Sequence, residues 1–197
     1  RWFRNEGRGQ FEADPAFAGI SEIPAQFRAL DALFFDFDND GYLDLLIVGD
    51  PGDAERPGAI LLHNNREGGF ENTSHLLPDR FEGGRQISVS DYNDDGDLDI
   101  FLAGVHGGAK LHRNDGGNAN RHLKMRLGGA KRGSGKNNYY GIGGKVELRA
   151  GNHYQMKPVT EPNIYFGLAD RSDVDVVRIL WTNGTPQNIF DPGIEQE

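Results

Sequence analysis

Asp36-Phe37-Asp38-Asn39-Asp40-Gly41-Tyr42-Leu43-Asp44 and, 55 residues further on, Asp91-Tyr92-Asn93-Asp94-Asp95-Gly96-Asp97-Leu98-Asp99 share one pattern, D-x-[DN]-x-D-G-x-x-D. The sequence around them repeats as well. Phe3-Arg4-Asn5-Glu6-Gly7 followed by Phe11 aligns with Leu62-His63-Asn64-Asn65-Arg66 followed by Phe70, at an offset of 59. Leu111-His112-Arg113-Asn114-Asp115-Gly116 begins a third copy, and an insertion around Pro51–Pro57 accounts for the unequal offsets. Repetition at this period is the signature of a repeat architecture.

Each unit reads as short strands. The first predicts Ala32–Phe37, Tyr42–Val48, Ala59–Asn64 and Phe70–Thr73, and the second Ile87–Tyr92, Leu98–Ala103 and Ala109–Arg113. Apolar, β-branched and aromatic residues fill these runs, while Gly, Asn and Asp punctuate them. Four short strands per repeat of this length make a propeller blade. The 28 glycines in 197 residues agree with many tight turns, and no window sustains helical periodicity, so the expected class is all-β. Residues 1–20 read as the end of a preceding blade and residues 21–120 as two blades. Two blades do not close a ring, which needs about four or more. Strands such as Leu45–Val48 and Ile100–Leu102 are apolar on both faces, which predicts cover on both sides. From residue 121 the repeat stops. Residues 121–197 read as a second β domain with strands His122–Leu127, Lys145–Ala150, Ile164–Leu168 and Val174–Trp181, closed by an Asn183-Gly184 turn.

The nine-residue loops carry the chemistry. Alternate residues of a tight loop point to its centre, and calcium takes six to eight oxygen ligands. In the first loop Asp36, Asp38 and Asp40 supply carboxylates, Gly41 permits the turn, Tyr42 offers its carbonyl and Asp44 closes the site. In the second the same roles fall to Asp91, Asn93, Asp95, Gly96, Asp97 (through its carbonyl) and Asp99. Carboxylates packed this closely repel one another without a cation. Two calcium ions are therefore expected, with calcium favoured over magnesium by ligand number. The alternative is a pair of acidic turns without metal, because Asp and Asn favour turns for local reasons. An EF-hand is excluded: its twelfth position requires Glu, and here that position is Ile47 or Leu102.

These loops, with the following Leu43-Asp44-Leu45 and Leu98-Asp99-Ile100, resemble FG-GAP/VCBS repeats of integrin-type propellers. Gly141-Ile142-Gly143-Gly144-Lys145-Val146-Glu147-Leu148-Arg149-Ala150-Gly151, Tyr165-Phe166-Gly167-Leu168, Val174-Asp175-Val176-Val177 and Trp181-Thr182-Asn183-Gly184 resemble the ASPIC/UnbV domain. That domain follows such repeats in cartilage acidic protein and in many bacterial exported proteins. The resemblance implies partial propeller blades followed by a small β-sandwich-like domain, in an extracellular, periplasmic or cell-surface setting.

Composition narrows the partners. The net charge of −9 opposes general nucleic-acid binding. The chain has no cysteine, so disulfides, Cys-ligated zinc and Cys nucleophiles are excluded. No apolar run approaches the roughly 18 residues of a membrane span. The chain starts at Arg1 rather than Met, as expected of a processed or incomplete chain whose targeting segment is not shown. Between Arg121 and Arg149 eight basic residues face one acid, Glu147, a stretch suited to an acidic glycan or to a solvated surface that offsets the acidic blades.

Other signals carry less. Gly129–Asn137 lacks the first Gly and the Ser/Thr of a phosphate loop. None of the six His has a metalloprotease or triad-like spacing, and His63, His75, His106 and His153 read as solvated or hydrogen-bonded. Asn72-Thr73-Ser74 and Asn183-Gly184-Thr185 fit the glycosylation pattern. The resulting expectation is a non-catalytic, calcium-binding extracellular scaffold or adhesion-type module that meets other protein chains, copies of itself or acidic glycans. The rival readings are a structural subunit of an extracellular fibre or surface assembly, and a non-catalytic domain of a larger exported enzyme.

Overall fold

A computed structural model describes residues 3–13, 23–52, 57–78, 84–105, 108–116, 119–129 and 137–194. Outside these lie part of the expected preceding blade, most of the insertion, His106, and residues 130–136 of the basic stretch, which are all of Gly129–Asn137 but its two ends. The chain divides into two compact units, residues 1–37 with 42–115, and residues 38–41 with 116–197.

The first unit opens with a hairpin, β1 (Phe3–Gly7) and β2 (Gln10–Ala13). A four-stranded antiparallel blade follows, in the order β3 (Arg28–Phe35), β4 (Asp44–Asp50), β5 (Ala59–Asn64), β6 (Phe70–Asn72). A three-stranded blade comes next, β7 (Gln86–Ser90), β8 (Asp99–Val105), β9 (Gly108–His112). None of these sheets closes on itself among the described residues, as expected of partial blades.

Residues Leu45 to Val48 of β4 are buried without alternation, because both faces are covered. One face shares a core with the next blade: Phe35, Leu46, Val48, Ala59 and Leu61 pack with Ile100 and Leu102. The other gathers Leu45, Ile47, Ile60, Leu62 and Phe70, over which Ile23 and Phe27 lie. The Asp31 carboxylate also accepts the Ile87 N–H at 2.8 Å, tying β3 to β7. Strand β8 departs from the expectation of two-sided cover. Ile100 and Leu102 are buried, but Phe101 between them is 43% exposed, since the described residues place a neighbour on only one side.

The second unit is β-sandwich-like. One sheet is β10 (Arg121–Arg126) with β13 (Asn163–Ala169). The other runs β12 (His153–Pro158), β11 (Lys145–Ala150), β14 (Val176–Leu180), β15 (Pro186–Phe190). Between them Val146, Leu148, Ile164, Phe166, Leu168, Val177 and Ile179 form the core. Two of these strands have no counterpart in the sequence reading. Strand β12 turns His153 and Gln155 inward and Tyr154 and Met156 outward, so its polarity alternates the wrong way for a half-buried strand. Strand β15 is an edge strand that begins with Pro186, a residue only an edge tolerates. The expected Asn183-Gly184 turn joins β14 to β15, with Gly184 at φ +83° and the Asn183 carboxamide oxygen accepting the Thr185 N–H at 2.9 Å.

Candidate metal centre

Both Asp loops join the first strand of a blade to the second, β3 to β4 and β7 to β8. They share one backbone conformation. The fourth loop position is left-handed in both, at Asn39 (φ +57°) and Asp94 (φ +62°), and so is the sixth, at Gly41 (φ +90°) and Gly96 (φ +89°). Asn and Asp tolerate this region and Gly adopts it without strain, which is why the pattern holds these residue types there. The expected strands Ala32–Phe37 and Tyr42–Val48 are trimmed to leave room for the loop, and the same happens in the second blade.

The closing aspartates have a structural role that the pattern does not reveal. Asp44 accepts the Phe37 N–H on Oδ2 at 3.1 Å and the Asn64 N–H on Oδ1 at 2.8 Å. Asp99 accepts the Tyr92 N–H on Oδ2 at 3.1 Å and the Asn114 N–H on Oδ1 at 2.8 Å. Each carboxylate therefore clamps its loop to the residue leaving the third strand of the blade. Both are almost wholly buried, at 0% and 1% exposure, where such bonds are strong and their loss is costly.

In the first loop the donors converge. Carboxylate oxygens of Asp36, Asp38 and Asp44 lie within 4.8 Å of one another, and Asp38, Asp40 and His63 form a second such group. Asp36, Asp40 and Asp44 are buried and Asp38 half-buried. The Asp38 carboxylate also accepts the Asp40 N–H at 3.2 Å. Tyr42, assigned a carbonyl ligand, is half-buried, and its ring lies under the Arg66 guanidinium, 5.4 Å from the centroid. The sequence reads His63 as solvated or hydrogen-bonded, with no part in the loop. The fold brings its Nε2 to 4.0 Å from Asp44 Oδ1, because β5 pairs with β4 immediately after the loop. Its position just before the Asn64 clamp is the signal that would have found it.

The second loop is knitted by its own side chains. Asp91 accepts the N–H groups of Asp95 (3.1 Å) and Gly96 (3.2 Å), and Asp95 accepts the Asp97 N–H (3.0 Å) and the Asn93 amide (2.6 Å). Asp91, Asp97 and Asp99 are buried; Asn93 and Asp95 are exposed. Among the described residues only the first loop gathers three acidic or imidazole groups within 4.8 Å. Asn93 stands where the first loop has Asp38. The donor set of the first loop, several carboxylates converging within a turn, fits a hard cation such as calcium. Three buried carboxylates in nine residues repel one another, and a bound cation relieves that repulsion.

Comparison with known families agrees with the architecture. Residues 36–102 match the FG-GAP-like repeat family. Residues 133–197 match the ASPIC and UnbV family. A search of curated proteins finds no match. No helix among the described residues is long and apolar enough to cross a membrane.

Proposed function

For a chain that carries an FG-GAP-like repeat followed by an ASPIC and UnbV domain, we propose a calcium-binding, extracellular scaffold or adhesion-type module. Its work is recognition of proteins or glycans rather than catalysis. The observation that carries this reading is the convergence of Asp36, Asp38 and Asp44 in a loop whose backbone is repeated at Asp91–Asp99. One ion per loop is proposed. In the first, Asp36, Asp38, Asp40 and Asp44 supply carboxylates and Tyr42 its carbonyl. In the second, Asp91, Asn93, Asp95 and Asp99 act through side chains and Asp97 through its carbonyl. When bound, the ion neutralises the loop and braces a blade that has no disulfide to do so. FG-GAP repeats are typical of extracellular and cell-surface proteins, which supports export. Acidic glycans are proposed for the basic stretch, whose Lys124 and Arg126 are exposed.

Calorimetric titration of metal-free protein with calcium tests the reading. Two sites are expected, and the double variant Asp40→Ala with Asp95→Ala should lose both. A folded sample that takes up no calcium would overturn it. The assembly-subunit reading draws on one observation, the exposure of Tyr92, Phe101 and Leu111 on and beside the second blade. Light scattering tests it: a concentration-dependent rise in mass supports assembly, and a constant monomer mass opposes it.

A further inference from the structure

The two loops differ in what stands beside them. Leu45 pairs with Leu62, and the equivalent Ile100 pairs with His112. The closing carboxylates receive the N–H of Asn64 and of Asn114, both at 2.8 Å. Both facts make Asn114 the counterpart of Asn64, and therefore Arg113 the counterpart of His63. In the first blade this position presents an imidazole to Asp38, Asp40 and Asp44. In the second it presents a guanidinium that pairs with Asp115 and stays 55% exposed. The register sets Arg113 between His112, which pairs with Ile100, and Asn114, whose N–H is held by Asp99 of the second loop at 2.8 Å.

Resting on the calcium reading, we infer that this register position ranks the two sites: the first loop binds calcium tightly and the second weakly, because Arg113 supplies a resident positive charge where the first loop has the His63 imidazole. A fixed unit charge facing a divalent ion at about 7 Å in water changes a dissociation constant roughly tenfold. Calcium affinity also follows the number of charged ligands, and Asn93 in place of Asp38 acts in the same direction. The paired Asp115 carboxylate offsets part of the guanidinium's field, but Arg113→Gln still removes one full positive charge beside the loop, so it tightens the weaker site.

The test is calorimetric titration of the chelator-stripped full chain with calcium chloride at low salt. Wild type is expected to show two dissociation constants at least about tenfold apart. Arg113→Gln, at an exposed position, should tighten the weaker site about tenfold and leave the tighter one unchanged. His63→Arg should weaken the tighter site by a similar factor. Raising the ionic strength should shrink the Arg113→Gln effect, since the charge is solvent-facing. Two equal affinities, or an Arg113→Gln variant indistinguishable from wild type, would overturn the ranking while leaving calcium binding intact. A protein that takes up no calcium at all would overturn the calcium reading itself, and the ranking with it.

Discussion

Replacing Asp99 by Asn in metal-free protein separates the clamp from the metal site. The change removes one charge and turns one acceptor oxygen into a donor amide. Asp99 is 1% exposed and holds the N–H groups of Tyr92 and Asn114 at 3.1 and 2.8 Å. An Asn side chain satisfies one of them and points N–H at the other. Losing a bond to a charged acceptor and stranding a buried N–H destabilises by about 2–4 kcal/mol. The opposing effect is relief of repulsion from the buried Asp91 and Asp97, which for unit charges about 4 Å apart runs from about 1 kcal/mol in water to about 4 kcal/mol at the effective dielectric of about 20 suited to protein sites. The clamp is expected to prevail because no three acidic groups of this loop converge within 4.8 Å among the described residues, leaving a net destabilisation on the order of 1 kcal/mol without any calcium. Asp44→Asn should behave alike, because its two bonds have the same lengths. Asp95→Asn is the contrast: its carboxylate is exposed and bonds only within the loop, so its effect without metal should be smaller. Urea unfolding in excess chelator, followed by circular dichroism, reads the difference. An Asp99→Asn protein as stable as wild type in chelator would show that carboxylate repulsion outweighs the clamp, and the reasoning would fail.

Calcium at about 100 times its dissociation constant should add about 2.7 kcal/mol per site, and lowering the pH should reverse this because the ligands must be ionised. A melting temperature indifferent to chelator would refute it. Leu102→Ala should cost about 2–5 kcal/mol, since Leu102 is wholly buried, whereas Phe101→Ser next to it should change stability far less; urea unfolding of the pair checks the one-sided cover of β8. Glu147 is held below the usual carboxylate range, chiefly by its hydrogen bond from Lys145 at 2.7 Å. A depressed carboxylate stabilises above its ordinary value and loses that contribution as the pH falls through its folded value. Glu147→Gln should therefore flatten the acid limb of the stability profile relative to wild type, and superimposable profiles would count against the Lys145 contact.

The loops were legible because their chemistry is local. Asp, Asn and Gly at fixed spacing fix the turn, and Gly41 and Gly96 take up the positive φ that the spacing implied. The blade strands were legible because β-branched and apolar runs sit between turn residues, and the inward alternation of Val146, Leu148 and Ala150 marked β11. What depended on pairing was not. Strand β12 hides behind inward-facing His153 and Gln155; the latter donates to the Gly167 carbonyl at 2.6 Å, a partner only the fold supplies. The register of the third blade strand was misread for a related reason. Leu62-His63 and Leu111-His112 are the same dipeptide, and matching them aligns His63 with His112. The connection between second and third strands is shorter in the second blade, from Val105 to Gly108 rather than from Asp50 to Ala59. The ladder and the carboxylate clamps absorb the difference by placing His112 opposite Ile100, the place Leu62 holds opposite Leu45. In a strand a slip of one residue exchanges the two faces. The one-residue slip therefore puts His112 in the place of Leu62 and Arg113 in the place of His63. Two loops with the same nine-residue pattern thereby acquire different neighbours, an imidazole in one and a guanidinium in the other. On the ranking proposed above, the residue one before the clamped Asn decides which Asp loop is the tighter calcium site.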